Sequence, residues 1–142
     1  MLQKLTKNRG GFTLVEIMIV VAIIALLAAI AVPNFLRARK RSQATRCLED
    51  LRLIDAAIDQ YAIDSNKKAG DSADWADVSK YLKTGTQLFA SGGKDILGGD
   101  MVTGLKVDQS PVIPSTTWDA LSDVADAAFW SPYTTGSSST AP

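Results

Sequence analysis

The chain has 142 residues, fifteen basic and fifteen acidic side chains, no histidine and one cysteine, and 46% of it is hydrophobic. Without histidine it lacks the Ser-His-Asp and Cys-His nucleophile systems and the commonest transition-metal ligand, and one cysteine rules out a disulfide within the chain. Balanced charge gives no nucleic-acid footprint, and the length suits one small domain.

Residues 1–11 are polar and basic, with Lys4, Lys7 and Arg9 and no acid. Setting them aside leaves twelve basic against fifteen acidic side chains, a net charge of −3. Residues 11–32, GFTLVEIMIVVAIIALLAAIAV, read as a membrane anchor: beyond Gly11 only Thr13 and Glu16 are not apolar. At 1.5 Å per residue such a helix covers about 30 Å, the thickness of a bilayer core. A carboxylate at the bilayer centre costs about 2.5–3.5 kcal/mol, so Glu16 needs a partner or a reason, although its place near the start of the run softens the cost.

Two rival readings of this stretch stand beside the first. One is a cleaved secretory signal, with small residues at Ala29 and Ala31 before a cut; the other is a plain signal anchor carrying an unrelated domain. The run exceeds the ~7–15 residues of a signal h-region, and neither alternative explains Gly11 and Glu16 together. Arg37, Arg39, Lys40 and Arg41 load the far end of the run, so charge alone does not orient the anchor. These four are expected to snorkel or to face lipid phosphates.

Pro33 lacks the amide needed for an i to i−4 bond, which predicts a kink or local loosening. Beyond it the pattern turns amphipathic: Ala44, Cys47, Leu51, Ile54, Ile58 and Tyr61 recur at spacings of three and four, with charged residues between them. A single helix over 12–63, about 52 residues and about 78 Å long, is therefore predicted, apolar in its first half (12–33) and amphipathic in its second (34–63). Cys47 lies on the seam and is expected to be a buried thiol behaving as a small hydrophobe.

Residues 64–133 are expected to form a small α+β head. After a loop at 65–73 comes a short helix capped by Asp71 or Ser72, with Trp75, Val78 and Leu82 on one face and Gly85 as its stop. Residues 86–113 carry strand signals. Leu88 and Phe89 precede Gly92-Gly93, Met101, Leu105 and Val107 alternate with Val102 and Lys106, and Val112-Ile113 lies between two prolines. Two or three antiparallel strands are predicted. Asp95 and Asp100 lie in a glycine-rich turn and could ligate calcium, but their spacing matches no calcium loop, so no metal is expected. A last helix over 116–129 is predicted from a capping-box pattern at Thr116 and Asp119, followed by an aromatic plug of Phe129, Trp130 and Tyr133. The Ser/Thr/Gly-rich stretch 134–142 reads as a disordered tail.

Residues 7–16, KNRGGFTLVE, resemble the processing site of type IV prepilins and of the pseudopilins of type II secretion. The resemblance implies that a prepilin peptidase cuts between Gly11 and Phe12, that the new amine of Phe12 is N-methylated, and that Glu16, fifth after the cut, acts in assembly. Pro33 also lies at the family's usual distance from the cut. Asp95 and Gly98 vaguely resemble the Asp-x-x-Gly turn of secretion pseudopilin heads. Many family members close a C-terminal loop with a disulfide, which Cys47 alone cannot do. The implied fold is pilin-like: a long N-terminal helix packed on a small antiparallel sheet with short helices. The implied role is a non-enzymatic subunit without cofactor, held in the bacterial inner membrane among its lipids. An assembly platform then polymerises it into a helical homopolymer, as a periplasmic or cell-surface filament. The alternative is a membrane-anchored extracytoplasmic module that binds a ligand or calcium and does not polymerise.

Overall fold

The computed structural model describes residues 11–136, and falls into two units that meet at Leu36 and Arg37. The expected leader up to residue 10 and tail from residue 137 lie outside the described residues.

One helix, α1, runs over Leu14–Asp64, through Pro33 and without a break. In the first unit it has no cover. Sixteen large apolar side chains between Phe12 and Leu36 are 49–85% exposed. In the second unit the predicted seam is the core: Ala44, Cys47, Leu51, Ile54, Ile58 and Tyr61 are all buried, joined by Leu48 and Ala57. Spacings of three and four put these residues on one face, and the rest of the unit packs there.

That packing partner is short-helical and irregular. It comprises α2 (Trp75–Val78) with a 3₁₀ turn over Ser79–Tyr81, α3 (Gln87–Ala90), α4 (Ser115–Leu121) and α5 (Ala127–Trp130). Val78, Leu88, Met101, Ile113, Leu121 and Trp130 supply its fully buried apolar side chains. The Trp130 indole N–H donates to the Ala125 carbonyl at 3.2 Å, so this residue is buried without an orphaned donor. The aromatic plug is therefore present: Phe129 meets Trp130 edge-to-face at 5.2 Å, and Tyr133 is buried beside them.

The antiparallel sheet is not. Among the described residues there is no strand, only isolated bridges pairing Ser72 with Lys106, Lys94 with Asp100, and Ile113 with Thr135. Leu88 and Phe89, expected in a strand, lie in α3 because the Thr86 hydroxyl accepts from the Phe89 amide and caps a helical turn. Met101, Leu105 and Val107 alternate as expected and are buried, but Gly104 has φ +68° and breaks the run. Residues 70–73 and 105–107 consequently share only three backbone hydrogen bonds. Alternating burial marks which side chains face inward; it does not supply a neighbouring strand.

Helix boundaries differ from expectation for similar reasons. The cap of α2 is Asp74, because Asp71 accepts from the Lys68 amide and Ser72 is bridged to Lys106. The single helix expected over 116–129 is two, with Asp126 accepting from the Phe129 amide at 3.0 Å to start the second. Residues 134–136 are fastened to Ile113 through the Thr134 carbonyl and the Gly136 amide. The stretch expected as a tail thus begins in paired backbone.

Candidate functional site

The first turn of α1 gathers the residues singled out at the N-terminus. The Thr13 carbonyl accepts from the Ile17 amide at 3.4 Å, which makes Thr13 the cap residue. The Thr13 amide donates to the Glu16 carboxylate at 2.7 Å, its hydroxyl donates to the same oxygen at 2.8 Å, and the Glu16 amide donates back to that hydroxyl at 3.3 Å. This reciprocal arrangement is a capping box. It gives Glu16 a partner inside its own chain, a role that assembly alone does not predict. The signal for it is Thr-x-x-Glu ahead of an apolar run. The acid also sits where the helix dipole favours negative charge.

Phe12, immediately before the cap, is 85% exposed. A side chain added at Gly11 would meet nothing within 4 Å among the described residues. The described fold therefore places no demand for glycine there. Pro33 is exposed within α1, in the uncovered unit.

In the second unit the candidate calcium residues each close a turn. One oxygen of the Asp95 carboxylate accepts from the Leu97 and Gly99 amides, both at 2.8 Å, and the other accepts from the Thr117 hydroxyl. Asp100 accepts from the Val102 amide at 3.0 Å. Among the described residues no three His, Cys, Asp or Glu side chains come together as a metal set.

Cys47 is 1% exposed, and burial first, then the Asp95 charge, pushes its thiol up to about 12. It is a neutral core group rather than a nucleophile. Burial also raises the Asp50 carboxyl above its ordinary range, partly offset by Arg46 at 3.6 Å.

Two of the four cations expected to face lipid do something else. Lys40 pairs with Asp123 at 2.9 Å, and Arg41 donates to the Val124 carbonyl and stacks over the Phe129 ring at 4.1 Å. They clamp the segment between α4 and α5 onto α1, while Arg37 and Arg39 remain exposed.

Residues 6–32 match the family defined by the prokaryotic N-terminal methylation motif. Over 67 residues the chain is 43% identical to the type IV wide pilus major component of Thermus thermophilus, covering 47% of this chain and 51% of that one. It is 46% identical over 61 residues to the type IV major fimbrial protein of Dichelobacter nodosus, covering 43% and 38%. It is 31% identical over 61 residues to the type II secretion system core protein G of Aeromonas hydrophila, covering 43% of each. The chain thus spans about half the length of the curated relatives it matches, or less. No solved structure matches it.

Proposed function

We propose that this chain, whose N-terminal segment is that of the type IV pilin and type II secretion pseudopilin family, is a structural subunit that polymerises into a filament. A prepilin peptidase cuts it between Gly11 and Phe12, the amine of Phe12 is methylated, and an inner-membrane platform assembles it. The observation that carries this reading is the first unit: a helix long and apolar enough to cross a membrane, wholly uncovered, directly behind the Gly-Phe-Thr-x-x-Glu turn.

The mechanism is physical. Each large apolar side chain is worth about 1.5–3 kcal/mol when removed from water, so sixteen of them require lipid before assembly and one another afterwards. An amine at Phe12 would enter the same apolar surroundings and needs a carboxylate to offset its desolvation. Glu16 of a neighbouring subunit supplies it. Until then the Thr13 capping box holds that carboxylate and lowers the cost of keeping it near lipid. Such a pair adds little stability over an apolar contact, but a misregistered subunit would bury an uncompensated charge at a cost of several kcal/mol. Register, rather than cohesion, is the task of Glu16.

Glycine at Gly11 fits the close approach of a protease to the scissile bond, since the fold itself has room for a side chain. The test is intact-mass analysis of the membrane-extracted protein together with electron microscopy of sheared filaments. A chain starting at N-methylated Phe12, built into filaments, is expected. A mature N-terminus at Val32, or a processed protein that never forms filaments, would overturn the reading.

A further inference from the structure

The capping box satisfies the end of α1, and it also decides where the helix stops. In a helix continued upstream, the Thr13 amide would bond the carbonyl four residues before it and the Glu16 amide the carbonyl of Phe12. Both donors are already taken, the first by the Glu16 carboxylate at 2.7 Å and the second by the Thr13 hydroxyl at 3.3 Å. The helix therefore begins at Leu14, and Gly11, Phe12 and Thr13 lie outside it, all three exposed. The sequence adds a second brake, because Gly10 and Gly11 are among the weakest helix formers.

This boundary coincides with the proposed cut, which falls just before the cap. Hydrolysis there breaks the link between the Gly11 carbonyl carbon and the Phe12 nitrogen, one water supplying the hydroxyl of the new carboxyl group and a proton of the new amine. The attacking water must reach that carbonyl. Inside a helix the Gly11 carbonyl would be occupied by the Val15 amide. In a frayed end it would be open but unfixed, and ordering it would cost entropy when the peptidase binds. A capped start avoids both, leaving the bond in the exposed, non-helical backbone where chains are preferentially cut.

We propose that Thr13 is a positioning residue for processing: its capping box with Glu16 ends α1 so that the Gly11–Phe12 bond reaches the peptidase outside the helix and in a fixed geometry. The proposal rests on the processing reading above and concerns recognition of the bond, not assembly. Losing the hydroxyl releases the Glu16 amide, and the first turn then samples frayed and over-extended starts. Only chains with the capped start are competent, so apparent affinity scales with their fraction while the chemical step is untouched.

The test measures cleavage kinetics of the full, detergent-solubilised chain by purified prepilin peptidase, following the appearance of a chain that begins at Phe12. Thr13→Val, nearly the same shape without the hydroxyl, should raise KM about fivefold, as loss of one cap predicts, and leave kcat as in the parent. Thr13→Ser and Thr13→Asn, which cap with side chains of different shape, should restore KM to near the parent value. Glu16→Ala keeps the hydroxyl and the bond it accepts, so it should still be cut, at an intermediate KM. Amide exchange at residues 14–17 should follow the same order as KM. Ser and Asn variants as poor as Val, a fall in kcat at unchanged KM, or a Val variant processed like the parent would overturn the positioning role and leave the processing reading standing. A parent that is not cut between Gly11 and Phe12 would overturn both.

Discussion

Asp95→Ala tests the turn directly and separates a structural carboxylate from a calcium ligand. The side chain accepts from three donors, of which the Gly99 amide and the Thr117 hydroxyl are buried. Losing their acceptor costs about 1–3 kcal/mol each, while the part-buried Leu97 amide can turn to water. Relief from burying an anion offsets some of this, so a net loss of about 2–4 kcal/mol is expected. For a unit of roughly 100 residues that is a fall in Tm of roughly 10–25 °C. Asp95→Asn keeps an acceptor for the amides, and the Thr117 hydroxyl can rotate to accept, so about 1 kcal/mol is expected. The assay is thermal unfolding of the detergent-solubilised protein followed by circular dichroism, with and without millimolar calcium. A melting point for Asp95→Ala within a few degrees of the parent would refute the accounting. A calcium-dependent rise in the parent's Tm would refute the structural assignment and favour the binding-module alternative.

Glu16→Ala should insert into membrane at least as well as the parent and still be cut at Gly11, yet its incorporation into filaments should fall at least tenfold; normal incorporation measured in sheared fractions would remove Glu16 from assembly. Thr13→Val, which deletes the hydroxyl of the capping box, should weaken the first turn of α1 by about 1 kcal/mol, seen as faster amide exchange at residues 14–17. Arg41→Ala should destabilise the second unit more than Lys40→Ala, because the Lys40–Asp123 pair is exposed and worth under about 1 kcal/mol while Arg41 also stacks on Phe129; denaturant midpoints that reverse this order would show the clamp misassigned. Burial raises the Asp50 carboxyl in the folded chain, so the native state holds its proton to higher pH than the unfolded state does, and the parent loses stability as pH rises through the carboxylate range. Asp50→Asn should therefore match the parent below about pH 4 and exceed it in Tm at neutral pH; the opposite pH trend would mean that the Arg46 pairing outweighs burial.

What the sequence reveals divides by distance along the chain. The helix, its change from uncovered to amphipathic, and the face formed by Ala44, Cys47, Leu51, Ile54, Ile58 and Tyr61 are legible because each depends on neighbours three and four residues away. The capping box at Thr13 and Glu16 is just as local, and is masked only because a carboxylate in an apolar run draws attention to distant partners. The expected sheet fails where local alternation at Met101, Leu105 and Val107 stands in for a pairing it cannot specify. Lys40 and Arg41 defeat a sequence reading for a stronger reason: their partners lie 83 residues away, and nothing near them distinguishes a clamp from a lipid-facing cation.

The same division bears on how such a subunit can vary. The capping box and the apolar run of the N-terminal segment are set within a few residues of one another, whereas the core of the second unit forms on the α1 seam. Similarity to both wide-pilus and secretion proteins covers less than half of the chain, as the local determinants do. On the filament reading, selectivity among filaments would then come from the head. Exchanging the head of this chain for that of a related subunit should then alter co-assembly while leaving cleavage at Gly11 and membrane insertion as they are. Variants at Glu16 should do the reverse, abolishing assembly with every partner alike.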